Sequence, residues 1–259
     1  AQGWDYLRPT LLPSLLKNVE SNLRFGNRNL ALFETTKTFQ SIKGFPVEGY
    51  TVSGVLTGTL EQEKFFGGAE KPVDFYWLKG LLQALLGGME GISFAPSKAV
   101  PVYMHPKICM DILLNGKSIG LFGKLHPLTL KAFAVKTTEV WAFEFATKLI
   151  EKGFSAQDFK PAKDMAVFPP SLRDLSVVVD ESVPYAQIAS ALDKTPLDVN
   201  LSYQLIDLYQ GEHLPAGKKS VTFSLAFSNP QRTLKDKETD DAFDRIVRQL
   251  REQVGAELR

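Results

Sequence analysis

The sequence predicts an α+β chain of two domains, a mixed and mostly antiparallel sheet domain followed by a ferredoxin-like βαββαβ domain. Three observations predict it. The 259 residues carry 44% hydrophobic side chains, enough for two cores, since single domains commonly run to about 100–200 residues. The segment 153–171, GFSAQDFKPAKDMAVFPPS, combines Gly and Pro with no sustained period and marks a seam. After it the apolar pattern reads strand, helix, strand, strand, helix, strand. The expected division is a first domain over 1–152, a linker over 153–168 and a second domain over 169–259.

In the first domain a helix follows Thr10 as N-cap. Leu12, Leu15, Leu16, Val19 and Leu23 fall at helical spacing, and Pro13 is tolerated in the first turn. NLALFETTKTF (29–39) and YTVSGVLTG (50–58) read as strands, and DFYWLKGLLQALLGGM (74–89) as a helix stopped by Gly87-Gly88. CMDILLNGKSIGLFGKL (109–125) is two apolar strands around Asn115-Gly116, a strong hairpin signal. HPLTLKAF opens a short helix. In VWAFEFAT (140–147), Trp141, Phe143 and Phe145 alternate with Val140, Ala142 and Glu144. Hairpin turns join these later strands, hence the antiparallel expectation.

In the second domain RDLSVVVD (173–180) is a strand and VPYAQIASALDK (183–194) a helix with Tyr185, Ile188, Ala191 and Leu192 on one side. NLSYQLIDLYQG (200–211) and KSVTFSLAF (219–227) are strands. ETDDAFDRIVRQLREQV (238–254) is a helix that buries Ala242, Phe243, Ile246, Val247, Leu250 and Val254 and ends at Gly255, and AELR adds a last short strand. Both helices are expected on one sheet face.

Composition excludes several classes. The chain begins AQGWDYLRPT without an initiator Met or a signal segment, and no apolar run approaches the roughly 18 residues of a membrane span. We expect a soluble cytoplasmic piece of a longer protein. Cys109 is the single cysteine, so neither a disulfide framework nor a Cys-based zinc site is available. His105 and His126 each precede Pro without a third ligand at metal spacing. A net charge of +1 means that a polyanion would have to be met by local patches.

Strand alternation assigns the faces of the second sheet. Leu175, Val177 and Val179, Ile206 and Leu208, and Val221, Phe223, Leu225 and Phe227 form the expected core. The opposite face presents Ser176 and Val178, then Tyr203, Leu205, Asp207 and Tyr209, then Ser220, Thr222 and Ser224. A bare sheet face with phenols, small hydroxyls and one carboxylate suits single-stranded RNA: bases stack on rings while polar groups meet their edges. A carboxylate repels phosphate but accepts two hydrogen bonds from the Watson–Crick edge of guanine, so Asp207 points to an unpaired G. Arg173, Lys218, Lys219 and Arg232 flank the face and are expected on phosphates. Ordinary exposed strand formers and solvated loop charges fit the same pattern.

FPPSLRDLSVVVD, LIDLYQGEHLPAGKKSVTFSLAF and NPQRTLKDKE resemble the ferredoxin-fold anticodon-binding domain that ends the β chain of bacterial phenylalanyl-tRNA synthetases. LRPTLLPSLLKNVESNL, LALFETTKTF, DFYWLKGLLQALL and NGKSIGLFGKLHPLTLKAF look like the domain before it, a class II synthetase fold without catalytic residues. The resemblance covers essentially the whole chain. It implies that the anticodon's first base, a guanine in tRNA-Phe, meets Tyr209, Asp207, Ser220 and Ser176. It also implies assembly with a catalytic α chain as α2β2, with the apolar face of the 10–25 helix packed into the joining bundle; burial of that face within its own domain fits the sequence equally. ATP and Mg²⁺ would be used by the complete enzyme and not held here, with no catalytic residue in this chain. Where relatives have Thr before the last long helix, this chain has Lys235, so Asp236 is expected to cap instead. Glu34 is expected to be a structural or interface charge. Two rivals stay open: an amino-acid-binding regulatory module, which ferredoxin-like folds also provide, and a pure assembly scaffold.

Overall fold

A computed structural model describes residues 6–59, 71–137, 139–147 and 168–259. They fall into two compact units, one within 1–160 and the other within 161–259. The expected linker at 153–168 lies outside the described residues except for Phe168.

The first unit runs α1 (Leu12–Arg24), β1 (Leu30–Ile42), β2 (Phe45–Thr57), α2 (Phe75–Leu86), β3 (Ile92–Pro96), β4 (Met104–Leu114), β5 (Lys117–Leu125), α3 (Pro127–Ala132) and β6 (Val140–Ala146). Its six strands form one antiparallel sheet in the order β1-β2-β6-β5-β4-β3. Alternation along β6 feeds two cores. Val140 and Ala142 pack with Leu12, Leu15, Leu16 and Val19 of α1, whereas Trp141, Phe143 and Phe145 pack with Leu78, Leu82 and Leu86 of α2. Helices on both faces explain why this strand is apolar at nearly every position.

The β4–β5 hairpin turns at Asn115 (φ 50°) and Gly116 (φ 76°), the left-handed pair that a two-residue turn requires. A second hairpin was not foreseen: Lys43 (φ 51°) and Gly44 (φ 82°) join β1 to β2 as one ladder from Leu30–Thr57 to Ile42–Phe45. Strand β3 was also missed. The helix α1 starts one residue later than expected, with Leu11 at the cap position. Thr10 accepts from the Leu12 N–H (3.2 Å) and donates to Glu144 Oε2 (2.8 Å), which also accepts from the Leu11 N–H (3.0 Å). Burial raises the Glu144 pKa, against these hydrogen bonds. Ser53 pairs with Glu34 on one side and Glu144 on the other, so the three form a row across β1, β2 and β6. Glu34 accepts from Arg8 Nη1 (2.8 Å) and Ser14 Oγ (2.5 Å). Both carboxylates are thus held by groups around the start of α1, where orphan N–H groups favour negative charge.

The second unit runs β7 (Ser171–Asp180), α4 (Tyr185–Asp193), β8 (Asn200–Tyr209), β9 (Lys218–Ser228), α5 (Asp236–Val254) and β10 (Glu257–Leu258). The sheet order is β10-β7-β9-β8, all antiparallel, as a split βαβ fold requires. Leu175, Val177, Val179, Val221, Phe223, Leu225 and Phe227 are buried against Ile188 and Leu192 of α4 and Ile246, Leu250 and Val254 of α5. Gly255 ends α5 in the left-handed conformation (φ 64°). Among the described residues no helix is long and apolar enough to cross a membrane.

The start of α5 departs from expectation. Asp236 is the first helical residue and Lys235 holds the cap position. Glu238 supplies the missing acceptor: it takes the Lys235 N–H (3.0 Å) and a bidentate contact from Arg232 (2.6 and 2.8 Å). The Arg232 hydrogen bonds, then that of the Lys235 N–H, hold its carboxyl well below the ordinary 4.5, at about 2. A pKa depressed on folding adds stability above the unfolded value and loses it as pH falls through the folded one. Glu238→Gln is therefore expected to lower the unfolding midpoint at neutral pH. The gap to the parent chain should close between pH 4.5 and about 2 in an acid titration followed by circular dichroism.

Candidate nucleic-acid interface

Strand β8 does not keep one parity. Tyr203 pairs with Leu225 and Leu205 with Phe223, but the next pair is Asp207 with Thr222, followed by Leu208 with Val221 and Tyr209 with Ser220. Ile206 is the extra residue of a β-bulge, and an unpaired residue reverses every face assignment beyond it. Before the bulge, Tyr203 and Leu205 share the face of Leu225 and Phe223, the helix-covered core; after it, Asp207 and Tyr209 share the face of Thr222 and Ser220.

The expected face of β8 is therefore corrected in its first half. Tyr203 packs on the core side, edge to face with Phe223 at 6.1 Å between ring centres. Its hydroxyl donates to Asp193 Oδ1 of α4 (2.8 Å) and to the Ala189 carbonyl (3.4 Å). Burial, together with the Asp193 contact, holds this phenol well above its ordinary pKa. Leu205 goes with it, and Ser202 and Gln204 take the places that Tyr203 and Leu205 were expected to fill. Ile206 and Leu208, expected in the core, are 51% and 57% exposed at the outer edge of the sheet.

What remains on the open face is compact. Ser176, Thr222 and Asp207 form one row across β7, β9 and β8, and Val178, Ser220 and Tyr209 form the next. The Ser176 and Thr222 hydroxyls share a hydrogen bond of 2.7 Å. Asp207 is exposed. Tyr209 is half-buried, and its hydroxyl end lies so close to Gly211 that a side-chain carbon there would sit 2.6 Å from the oxygen. Neither helix lies over this face, so these polar groups are available to a flat ligand.

The flanking bases are arranged differently from expectation. Arg173 pairs with Leu225, on the core side, and reaches Asp240 of α5 at 3.1 Å. Lys219 pairs with Val179, also on the core side, and donates to the Glu181 and Val183 carbonyls at 2.9 and 2.6 Å. Arg232 is engaged by Glu238. Lys218 stays at the rim of the open face, 3.2 Å from Asp180. The cation that does lie across the face was missed. Arg259 donates its main-chain N–H to the Ser176 carbonyl (3.1 Å), and its guanidinium stands 5.5 Å from the centre of the Tyr209 ring. Only the pairing of β10 with β7 brings it there; its position in the sequence carries no such signal.

Because Ile206 is a pure insertion in the ladder, deleting it is expected to leave the Asp207–Thr222 and Tyr209–Ser220 pairs in place. The stability change should stay within about 1 kcal/mol. Cross-strand contacts in an NMR spectrum and a urea midpoint test this. Loss of the two pairs would mean that the bulge itself directs the second half of the strand.

A family model described as the phenylalanyl tRNA synthetase beta chain CLM domain matches residues 1–147, and one described as the ferredoxin-fold anticodon binding domain matches residues 166–259. The phenylalanine–tRNA ligase β subunit of Geobacillus kaustophilus is 35% identical over 260 residues, covering 98% of this chain and 31% of that protein. The β subunits of Bacillus subtilis and Lactiplantibacillus plantarum are 33% and 31% identical with the same two coverages. The chain thus spans just under a third of the length of these relatives. A solved pyrrolysyl tRNA synthetase from Desulfitobacterium hafniense superposes on 61% of this chain and 54% of its own, with a TM-score of 0.42 at 14% identity, too distant a likeness to bear on function.

Proposed function

Because the chain belongs to the phenylalanyl-tRNA synthetase β-chain family, we propose that its second unit reads the anticodon of tRNA-Phe and that its first unit serves assembly with a catalytic α chain. In this reading the complete ligase, an α2β2 assembly, activates phenylalanine with ATP and Mg²⁺ on the α chain, and this chain makes no bond. The proposed division keeps the synthetase-like unit at 1–152, the linker at 153–168 and the anticodon-binding unit at 169–259.

The single observation that carries the reading is the cluster on the open face. A carboxylate, a half-exposed phenol and small hydroxyls from three strands meet on a surface that no helix covers. Asp207 accepts from the N1 and N2 hydrogens of an unpaired guanine, Tyr209 offers a ring for stacking, and Ser176 and Ser220 supply edge contacts. Tyr203, Arg173, Lys219 and Arg232 drop out of this proposal, since each is committed on the helix side or near the start of α5. Lys218 remains as a rim cation beside the phosphates.

The test is a fluorescence titration with two RNA stem-loops that carry the tRNA-Phe anticodon with guanine or cytosine first, at two salt concentrations. Tighter binding of the guanine loop at both salts is expected. Asp207→Asn should narrow the difference, because an amide offers one acceptor where guanine brings two donors. Equal binding of both loops by the parent chain would remove the guanine-reading role.

A further inference from the structure

We infer that Arg259 is a displaceable cover over the Tyr209–Ser220 half of this face, so that an entering base must exchange places with its guanidinium. The inference rests on the reading of the open face as a base-binding surface. It starts from a difference between the two halves. The Asp207 side chain is exposed and makes no hydrogen bond or ion pair to another described residue. Ser220, one row further along the same helix-free face, is only 1% exposed.

The Arg259 side chain closes that half. Its main chain is anchored on the Ser176 carbonyl, and from there the side chain crosses β7 and β9. Nη1 donates to Ser220 Oγ at 3.4 Å, and the guanidinium lies over the Tyr209 ring. The same cation therefore occupies both the stacking surface and the hydroxyl that a base would use. A planar guanidinium stacks on an aromatic ring much as a base does, so the two compete for one surface.

Magnitudes decide the outcome of that competition. An exposed cation–π contact favours the closed arrangement by roughly two- to fivefold in an equilibrium constant. Stacking of a base on the ring is worth roughly five- to 150-fold. The base wins, but its apparent affinity falls by the factor that held the cover in place. The displaced guanidinium keeps its charge and its backbone anchor, within side-chain reach of the phosphates beside the stacked base.

The experiment uses the intact chain and the guanine stem-loop, with Arg259→Lys and Arg259→Ala compared with the parent at low and high salt. The anchoring bond to Ser176 is made by the main chain, so both variants keep it. Lysine retains the charge but not the flat stack, and Arg259→Lys is expected to bind roughly two- to fivefold more tightly at both salts. Arg259→Ala should bind more tightly at high salt and lose about one phosphate contact from its salt slope. Weaker binding by both variants at high salt would make the guanidinium a direct RNA contact and overturn the cover. Unchanged binding would overturn it too, because the ring would then never have been blocked. A parent chain indifferent to guanine or cytosine would bring down the base-reading face itself, and the cover with it.

Discussion

Tyr209→Ala is expected to weaken binding of the guanine stem-loop by about 1–3 kcal/mol, or roughly five- to 150-fold, with the unfolding midpoint close to that of the parent. Tyr209 sits at the end of β8, opposite Ser220, on the face that carries neither helix, and it belongs to none of the buried clusters. Removing its ring deletes a stacking surface and leaves no cavity in the core. Tyr209→Phe is the matching control: it keeps the ring and should retain most of the affinity. Fluorescence titration and urea denaturation of the same samples decide the matter. A variant that binds the stem-loop as tightly as the parent would exclude a stacking role for this ring.

Tyr203→Ala is expected to do the opposite. It should cost about 2–4 kcal/mol of stability and leave the affinity of the still-folded chain near that of the parent. The ring lies against Phe223, which is fully buried, and its hydroxyl ties β8 to α4 through Asp193. Truncation removes a core contact and the hydrogen bond that ties β8 to α4. Since small domains are stable by only about 5–15 kcal/mol, the loss is a substantial fraction of the whole. Tyr203→Phe separates the two contributions, because it keeps the packing and gives up a hydrogen bond worth about 1 kcal/mol. If Tyr203→Ala instead weakened RNA binding as much as Tyr209→Ala at unchanged stability, the two rings would share one face and the bulge would not exist in solution.

These two tyrosines also mark where the sequence stops being readable. Six residues apart on one strand, they should face the same way, and simple alternation puts them there. The elements themselves were legible. The apolar positions 242, 246, 250 and 254 fall on one helical stripe, and Leu175, Val177 and Val179 on one strand face, because those segments keep their period from end to end. Asn115-Gly116 announced its hairpin through the left-handed backbone that both residues adopt. Lys43-Gly44 closes a similar turn with a lysine in the first position, a residue that carries no turn signal, and so the two strands of the β1–β2 hairpin read as shorter, over 29–39 and 50–58, with no turn between them.

The basic residues failed for a related reason. Charge can be counted along a chain, but its availability depends on what folds beside it. Arg173 meets Asp240 from 67 positions away, and Lys219 meets two carbonyls of the loop before α4. Arg259, absent from every expected site, stands 5.5 Å from the centre of the candidate stacking ring because β10 adds to the sheet beside β7.

By itself, then, the sequence determined the order of helices and strands in the second unit, the apolar faces of β7 and β9, and the presence of a carboxylate and a phenol near the end of β8. Tertiary structure alone decided that Tyr203 turns inward, away from the face that keeps Asp207 and Tyr209. A bulge is a property of two strands pairing, not of either one: only the hydrogen-bond register against β9, with Phe223 and Thr222 taking Leu205 and Asp207, shows that one residue between them is left over.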